Sequence, residues 1–217
     1  MNTRKAISYL FPTKVKSGIT SKGQVYEINF ENGYKVLNSQ NANYSYGSLH
    51  QIMQKGIFES LKKIKPQNIL MLGLGGGSAV EILSKKCAWP FKVTAIEFDE
   101  DLVQFAREEF DINQYQMLTI VVADAFEWLQ TPNTEQYDLI IDDLFVDDQV
   151  PELCFGRTYL TQLTQRLTDG GIYFRNMMNL TTEKQNRYEK ILKDVFPNTN
   201  CTKAKGYDNL IYLCSKS

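Results

Sequence analysis

Histidine is nearly missing from this chain: His50 is the single one in 217 residues. The four cysteines, Cys87, Cys154, Cys201 and Cys214, lie scattered with no CxxC pair. Neither set has metal-ligand or disulfide-framework spacing, so we expect buried thiols in a reducing compartment and no metal. An excess of charge of one sign is missing too. Lys and Arg number 24 against 25 Asp and Glu, a net charge of -1, which gives no global pull toward nucleic acid or an anionic membrane. Long apolar runs are also lacking. The opening MNTRKAISYLFPTKVKSG breaks at Pro12 after a short stretch, and no later run approaches membrane length. We therefore expect a cytoplasmic protein with no nucleic-acid and no membrane partner.

The length suits one α/β domain with a substantial core and a small appendage. QVYEINFENGYKVLN, Gln24 to Asn38, alternates loosely around Asn32-Gly33, a pair that accepts positive φ at both centres of a type I′ turn. This predicts a β-hairpin extension over residues 1–45. From Tyr46 to Lys65, Leu49, Met53, Ile57 and Leu61 recur at helical spacing until Pro66 stops the helix. Beyond it, apolar runs at Ile69 to Leu74, Phe91 to Phe98, Leu118 to Val122, Leu139 to Ile141, Ile172 to Phe174 and Leu210 to Leu213 alternate with amphipathic helices. Such alternation predicts a mostly parallel sheet covered on both faces over residues 46–217, with ligands at the carboxyl ends of the strands.

ILMLGLGGGSAVEIL, Ile69 to Leu83, reads as strand, tight turn and helix, with Gly73, Gly75, Gly76 and Gly77 in the turn. Glycines let a backbone approach a ligand, and the free N–H groups of a helix start carry partial positive charge. Glu97 ends the next strand, where an acid can take ribose hydroxyls. Asp124, with Ala125 beside it, closes the third strand and could accept from an adenine amino group. Together these positions outline an adenosine site. Ser78 stands where a dinucleotide motif wants its third glycine, so NAD is the weaker reading and a phosphate-free sulfonium such as S-adenosylmethionine the stronger. Ser78 itself reads as a helix N-cap.

GLGGGS, AIEFDEDLVQFAREEF, ADAFEWL, YDLIIDDLF, VPELCFGRTYLTQL and LTDGGIYFRNM, in this order, resemble the spermidine synthase (polyamine aminopropyltransferase) family, a branch of the class I S-adenosylmethionine-dependent methyltransferase fold. The resemblance runs from about Gln24 through most of the chain. It implies a Rossmann-like, seven-stranded sheet and aminopropyl transfer from decarboxylated S-adenosylmethionine, or from a donor close to it, to an amine or polyamine. It also implies a homodimer. Gly73, Gly75, Gly77, Glu97, Asp124, Ala125 and Gln40 would hold the donor, and Tyr46, Asp147 and Asp148 would line the acceptor site. Asp143 falls at the family's catalytic aspartate, which orients and deprotonates the attacking amine.

Two departures bear on chemistry. The family's loop carries an acid that anchors the aminopropyl ammonium where this chain has Gly76, and its His-Glu pair is replaced by Gly47-Ser48. A methyltransferase using intact S-adenosylmethionine is therefore the alternative, and a non-catalytic nucleoside-binding protein the second. Of the adjacent acids in YDLIIDDLFVDD, strand alternation turns Asp142 away from the side that Asp143 faces, which leaves Asp142 a structural contact.

Overall fold

The computed structural model describes residues 3–41, 43–45, 47–132, 134–204 and 206–216, with backbone alone for 43–45, 47 and 48. Tyr46, expected to touch substrate, lies outside the described residues. A short helix α1 (Thr3–Ile7) precedes strands β1 (Thr13–Ile19), β2 (Val25–Glu31), β3 (Tyr34–Asn38) and β4 (Asn43–Ser45). The expected hairpin is present as β2 and β3, with Asn32 and Gly33 at φ 50° and 80°. It is the middle of a four-stranded antiparallel sheet rather than a unit by itself. The sequence of β1, TKVKSGI, hides this strand, because neither of its faces is fully covered and a bulge falls between Lys14 and Lys16.

The remainder reads α2 (Gly47–Leu61), β5 (Asn68–Leu72), α3 (Ser78–Lys86), β6 (Lys92–Glu97), α4 (Glu100–Glu109), β7 (Leu118–Val122) and α5 (Ala125–Gln130). It continues with β8 (Tyr137–Asp142), α6 (Arg157–Arg166), β9 (Leu167–Met177), α7 (Thr182–Val195), β10 (Asn198–Lys203) and β11 (Leu210–Ser215). The strands form a seven-stranded sheet in the order β10-β11-β9-β8-β5-β6-β7, parallel from β9 to β7, with β11 and β10 antiparallel at one edge. Strand β10, NTNCTK, has no apolar pattern to announce it, and its side chains are mostly exposed. Phe155 belongs to a 3-10 turn before α6.

Alternation along the strands divides the core in two. Ile69, Met71, Leu139, Ile141 and Phe174 pack with α2, α3 and α4 on one face. Leu70, Leu72, Ile140, Tyr173 and Tyr212 pack with α5, α6 and α7 on the other. Burying each such side chain contributes about 1.5–3 kcal/mol, and coverage of both faces explains why these strands read as continuous apolar runs. The N-terminal sheet packs Tyr26, Ile28 and Leu37 on Leu102, Phe105 and Phe110 of the α4 region. Among the described residues no helix is long and apolar enough to cross a membrane.

Helix and sheet approach closely at Gly56 of α2, where an added Cβ would lie 2.1 Å from Cζ of the fully buried Phe174 ring. Gly56→Ala is expected to lower stability by roughly 1–3 kcal/mol through overpacking, measured by urea unfolding; an unchanged midpoint would mean that α2 can move off the sheet at little cost.

Candidate functional site

The order of strands reverses at β5, which has β6 on one side and β8 on the other, so the helices following β5 and β8 leave a crevice at the strand ends. A cavity of about 240 Å³ opens there, lined by Gly73, Gly75, Glu97, Asp124, Ala125 and Asp143 from the expected set. Each leaves the carboxyl end of a parallel strand, β5, β6, β7 or β8. Apolar walls come from Ile96, Phe98, Leu102 and Phe126, a surface suited to a nucleoside base.

The glycine turn is held from below. Gly73, at φ 86°, donates its N–H to the Ile96 carbonyl at 2.9 Å. A Cβ on it would stand 2.7 Å from the Asp143 carbonyl oxygen, so the close approach of the β5 and β8 ends requires glycine. Gly77, expected to hold the donor, is not among the cavity-lining residues. It is the left-handed N-cap of α3, at φ 85°, packed so that a Cβ would meet Ile112 at 2.5 Å. Ser78 is consequently the first helical residue and not the cap.

Glu97 is buried, and its Oε2 accepts from the N–H groups of Leu74 at 2.9 Å and Gly75 at 3.3 Å, while Oε1 accepts from Asp99 N–H at 3.1 Å. Burial pushes its pKa up against those three hydrogen bonds, with the nearby Asp99 charge adding to the rise. The acid thus orders the glycine turn as well as facing the cavity. Asp124 is the N-cap of α5, accepting from Phe126 and Glu127 N–H at 2.7 and 3.0 Å through Oδ1.

At β8, alternation separates the two adjacent acids. Asp142 faces α6 and α7, fully buried, in an ion pair with the equally buried Arg175 of β9. The hydroxyls of Tyr159 and Tyr173 donate to its Oδ2 at 2.6 and 2.8 Å. Burial, and then the Asp142 charge, raise both phenols well above their ordinary pKa, so both remain donors. Arg175 also donates to the Leu144 carbonyl at 3.4 Å, fixing the chain just past Asp143.

Asp143 lies on the opposite face, at the cavity. Its Oδ1 accepts from Asn176 Nδ2 at 2.9 Å. Burial raises its pKa to about 7, against the Asn176 hydrogen bond and the Arg175 charge, with the Asp142 and Glu97 charges adding to the rise. A carboxyl group that titrates near neutrality in a cleft is suited to general acid–base work.

The loop acids and the expected glutamine have other surroundings. Asp147, at φ 56°, turns to the N-terminal sheet: Ser39 Oγ and Asn41 N–H donate to Oδ1 at 2.5 and 2.8 Å, and Asn41 Nδ2 to Oδ2 at 2.5 Å. It borders the cavity while its carboxylate is engaged elsewhere. Asp148 accepts from Gln149 and Asn179 side chains and is not a lining residue. Gln40 is exposed beyond β3 and also lies outside the lining. Gln24, just before β2, occupies the wall instead, and among the described residues its buried Oε1 has no partner. Sequence reasoning also missed Asn176, for which the signal was a polar pair, Arg175-Asn176, ending the apolar run of β9 beside the Asp142-Asp143 pair.

The family model for the spermine/spermidine synthase domain matches residues 50–205. A probable polyamine aminopropyl transferase of Bifidobacterium longum is 27% identical over 135 residues, 60% of this chain and 29% of that protein. The chain spans less than two fifths of the length of the curated relatives it matches. Among solved structures, a probable spermidine synthase from Corynebacterium glutamicum aligns with TM-score 0.76 at 18% identity, covering 93% of this chain and 79% of that one. Human methyltransferase-like protein 13 in complex with SAH aligns with TM-score 0.68 at 20% identity, covering 79% and 83%. These likenesses establish a methyltransferase-like fold.

Removing one member of the buried ion pair strands the other. Arg175→Met is expected to cost about 3–5 kcal/mol in urea unfolding, and the double variant Asp142→Leu/Arg175→Met to recover part of that loss. A double variant no better than Arg175→Met would mean that the pair is not what makes the single change costly.

Proposed function

Because the chain belongs to the spermine/spermidine synthase family, we propose that this transferase moves an aminopropyl group from decarboxylated S-adenosylmethionine to an amine or polyamine, with Asp143 as the base. The observation that carries this reading is Asp143 itself. It stands at the end of β8, within the cavity bounded by the glycine turn, with its pKa raised to about 7.

The residues suit a nucleoside donor. The small surface of Gly73 and Gly75 would admit it, Glu97 would take ribose hydroxyls, and Asp124 with Ala125 would meet the base beside Phe98 and Phe126. Gln24, whose Oε1 has no partner among the described residues, would supply a further acceptor on the cavity lining. When bound, the sulfonium donor supplies an electrophilic carbon. The acceptor nitrogen forms the new N–C bond as the C–S bond breaks and a neutral thioether leaves. Asp143 accepts an amine proton, which a neutral nucleophile requires because alkylamines are mostly protonated near pH 7. Alignment within the crevice is the other contribution.

Methyl transfer from intact S-adenosylmethionine is the second reading. It is favoured by Gly76 in place of the family acid, and by the commitment of Asp147 and Asp148 to internal hydrogen bonds that leave fewer carboxylates for a polycation.

Both readings are tested by incubating the protein with either donor and putrescine, cadaverine, agmatine or spermidine. Methylthioadenosine release supports aminopropyl transfer, S-adenosylhomocysteine release supports methyl transfer, and release of neither sinks the reading. Asp143→Asn should lower turnover by about 10²–10⁴-fold with donor binding intact in calorimetry. Turnover should rise with pH through about 7, as Asp143 loses its proton. The same group binds its proton more tightly in the folded chain than unfolded, where its pKa is about 3.9. Stability should therefore fall as pH rises across the window between those values, and Asp143→Asn should melt above wild type at pH 8.

A further inference from the structure

Asn176 does not choose the face of its amide that it shows to Asp143 unaided. Its Nδ2 donates to Asp143 Oδ1 at 2.9 Å, and its Oδ1 accepts from Asn209 Nδ2, also at 2.9 Å. Asn209 comes from the turn between β10 and β11, two residues before Ile211, which lies directly opposite Asn176 on β9. That places the two asparagines as diagonal neighbours on one face of the antiparallel pair. Asn176 and Asn209 are both buried. The backbone carbonyl of Asn209 is itself held by Ala204 N–H at 2.9 Å.

An amide can face a carboxyl group with either end. With Nδ2 forward it donates to the ionised form; with Oδ1 forward it accepts from the protonated form. A donor at position 209 engages the oxygen end and leaves only the nitrogen end for Asp143. We propose that Asn209 is a positioning residue, which fixes the amide of Asn176 so that a hydrogen-bond donor is kept aimed at Asp143. Resting on the reading of Asp143 as the base, this assigns to the β10–β11 turn, whose Asn209 is not a cavity-lining residue, control over how much of the base is ionised near neutral pH. The other groups that act on Asp143 are Asp142 beside it on β8, Arg175 on β9 and Glu97 at the end of β6. None of them touches the Asn176–Asn209 bond, so the relay can be removed while those charges stay.

Asn209→Leu keeps the volume and deletes the donor. In the full chain, the Asp143 carboxyl carbon is followed by 13C NMR titration, assigned by its loss in Asp143→Asn. The midpoint should move upward in Asn209→Leu by roughly half to one pH unit, the effect of one amide donor on a carboxylate. An unchanged midpoint overturns the proposal. If the variant does not fold, wild-type protein still decides. The side-chain amide resonances of both Asn176 and Asn209 should shift with the Asp143 midpoint and cease to do so in Asp143→Asn, and an Asn209 amide that ignores that titration overturns the relay. Neither measurement needs turnover, so failure of the proposed reaction and failure of the relay are read separately.

Discussion

An ionised carboxylate and a guanidinium enclosed in a sheet are tolerable only when each satisfies the other and the remaining lone pairs and protons find partners. Asp142 and Arg175 meet that demand at the ends of β8 and β9, with the Tyr159 and Tyr173 hydroxyls completing the carboxylate. Because the two residues sit opposite each other in the strand register, the pair pins that register. A slip by one residue would exchange the faces of Asp142 and Asp143, burying the candidate base in the α6–α7 core and presenting the structural acid to the cavity. The second contact of Arg175, to the Leu144 carbonyl, carries the constraint into the chain beyond Asp143. The charge pair is thus a specificity device for alignment, whatever its net worth to stability.

The central strands of the main sheet were legible because they are buried on both sides and bounded by glycine, proline or acids, and the partly exposed edge strand β7 was legible from its apolar sequence. The glycine turn, Glu97, Asp124 and Asp143 all follow directly from such strand ends. Strands β1 and β10 were not legible, since an exposed edge strand carries no apolar stripe to reveal it. Gly77 resembled its neighbours in sequence and differs in role only through its packing against Ile112. Gln40 and Gln24 could not be told apart without knowing how the N-terminal sheet lies against α4, an arrangement set by contacts such as Ser21 N–H to Asp101 at 2.6 Å. Asp147 and Asp148 read as acceptor acids from the family resemblance. Their hydrogen bonds to Ser39, Asn41 and Asn179 are long-range pairings that no local pattern encodes.

The departures from the family pattern are consistent with one another. In the proposed reaction, Gly76 would leave the donor without the family's carboxylate, and the hydrogen bonds of Asp147 and Asp148 would withhold two more from an acceptor. What is left is a mostly apolar cavity in which Asp143 is the acid whose environment is tuned near neutrality. Under the proposed reaction, such a cavity would select an acceptor by shape and by the ionisation of one group more than by a field of negative charge.

The Asp147 bonds to Ser39 and Asn41 join positions separated by 108 and 106 residues. During synthesis the N-terminal sheet emerges first, yet the bonds at the end of β3 cannot form until β8 and its turn have followed. Closing so long a loop is slow relative to forming the local β2–β3 hairpin. The N-terminal sheet can pair β3 with β4 early, but its Ser39 and Asn41 bonds to the turn after β8 come only once the strand that bears Asp143 has been made.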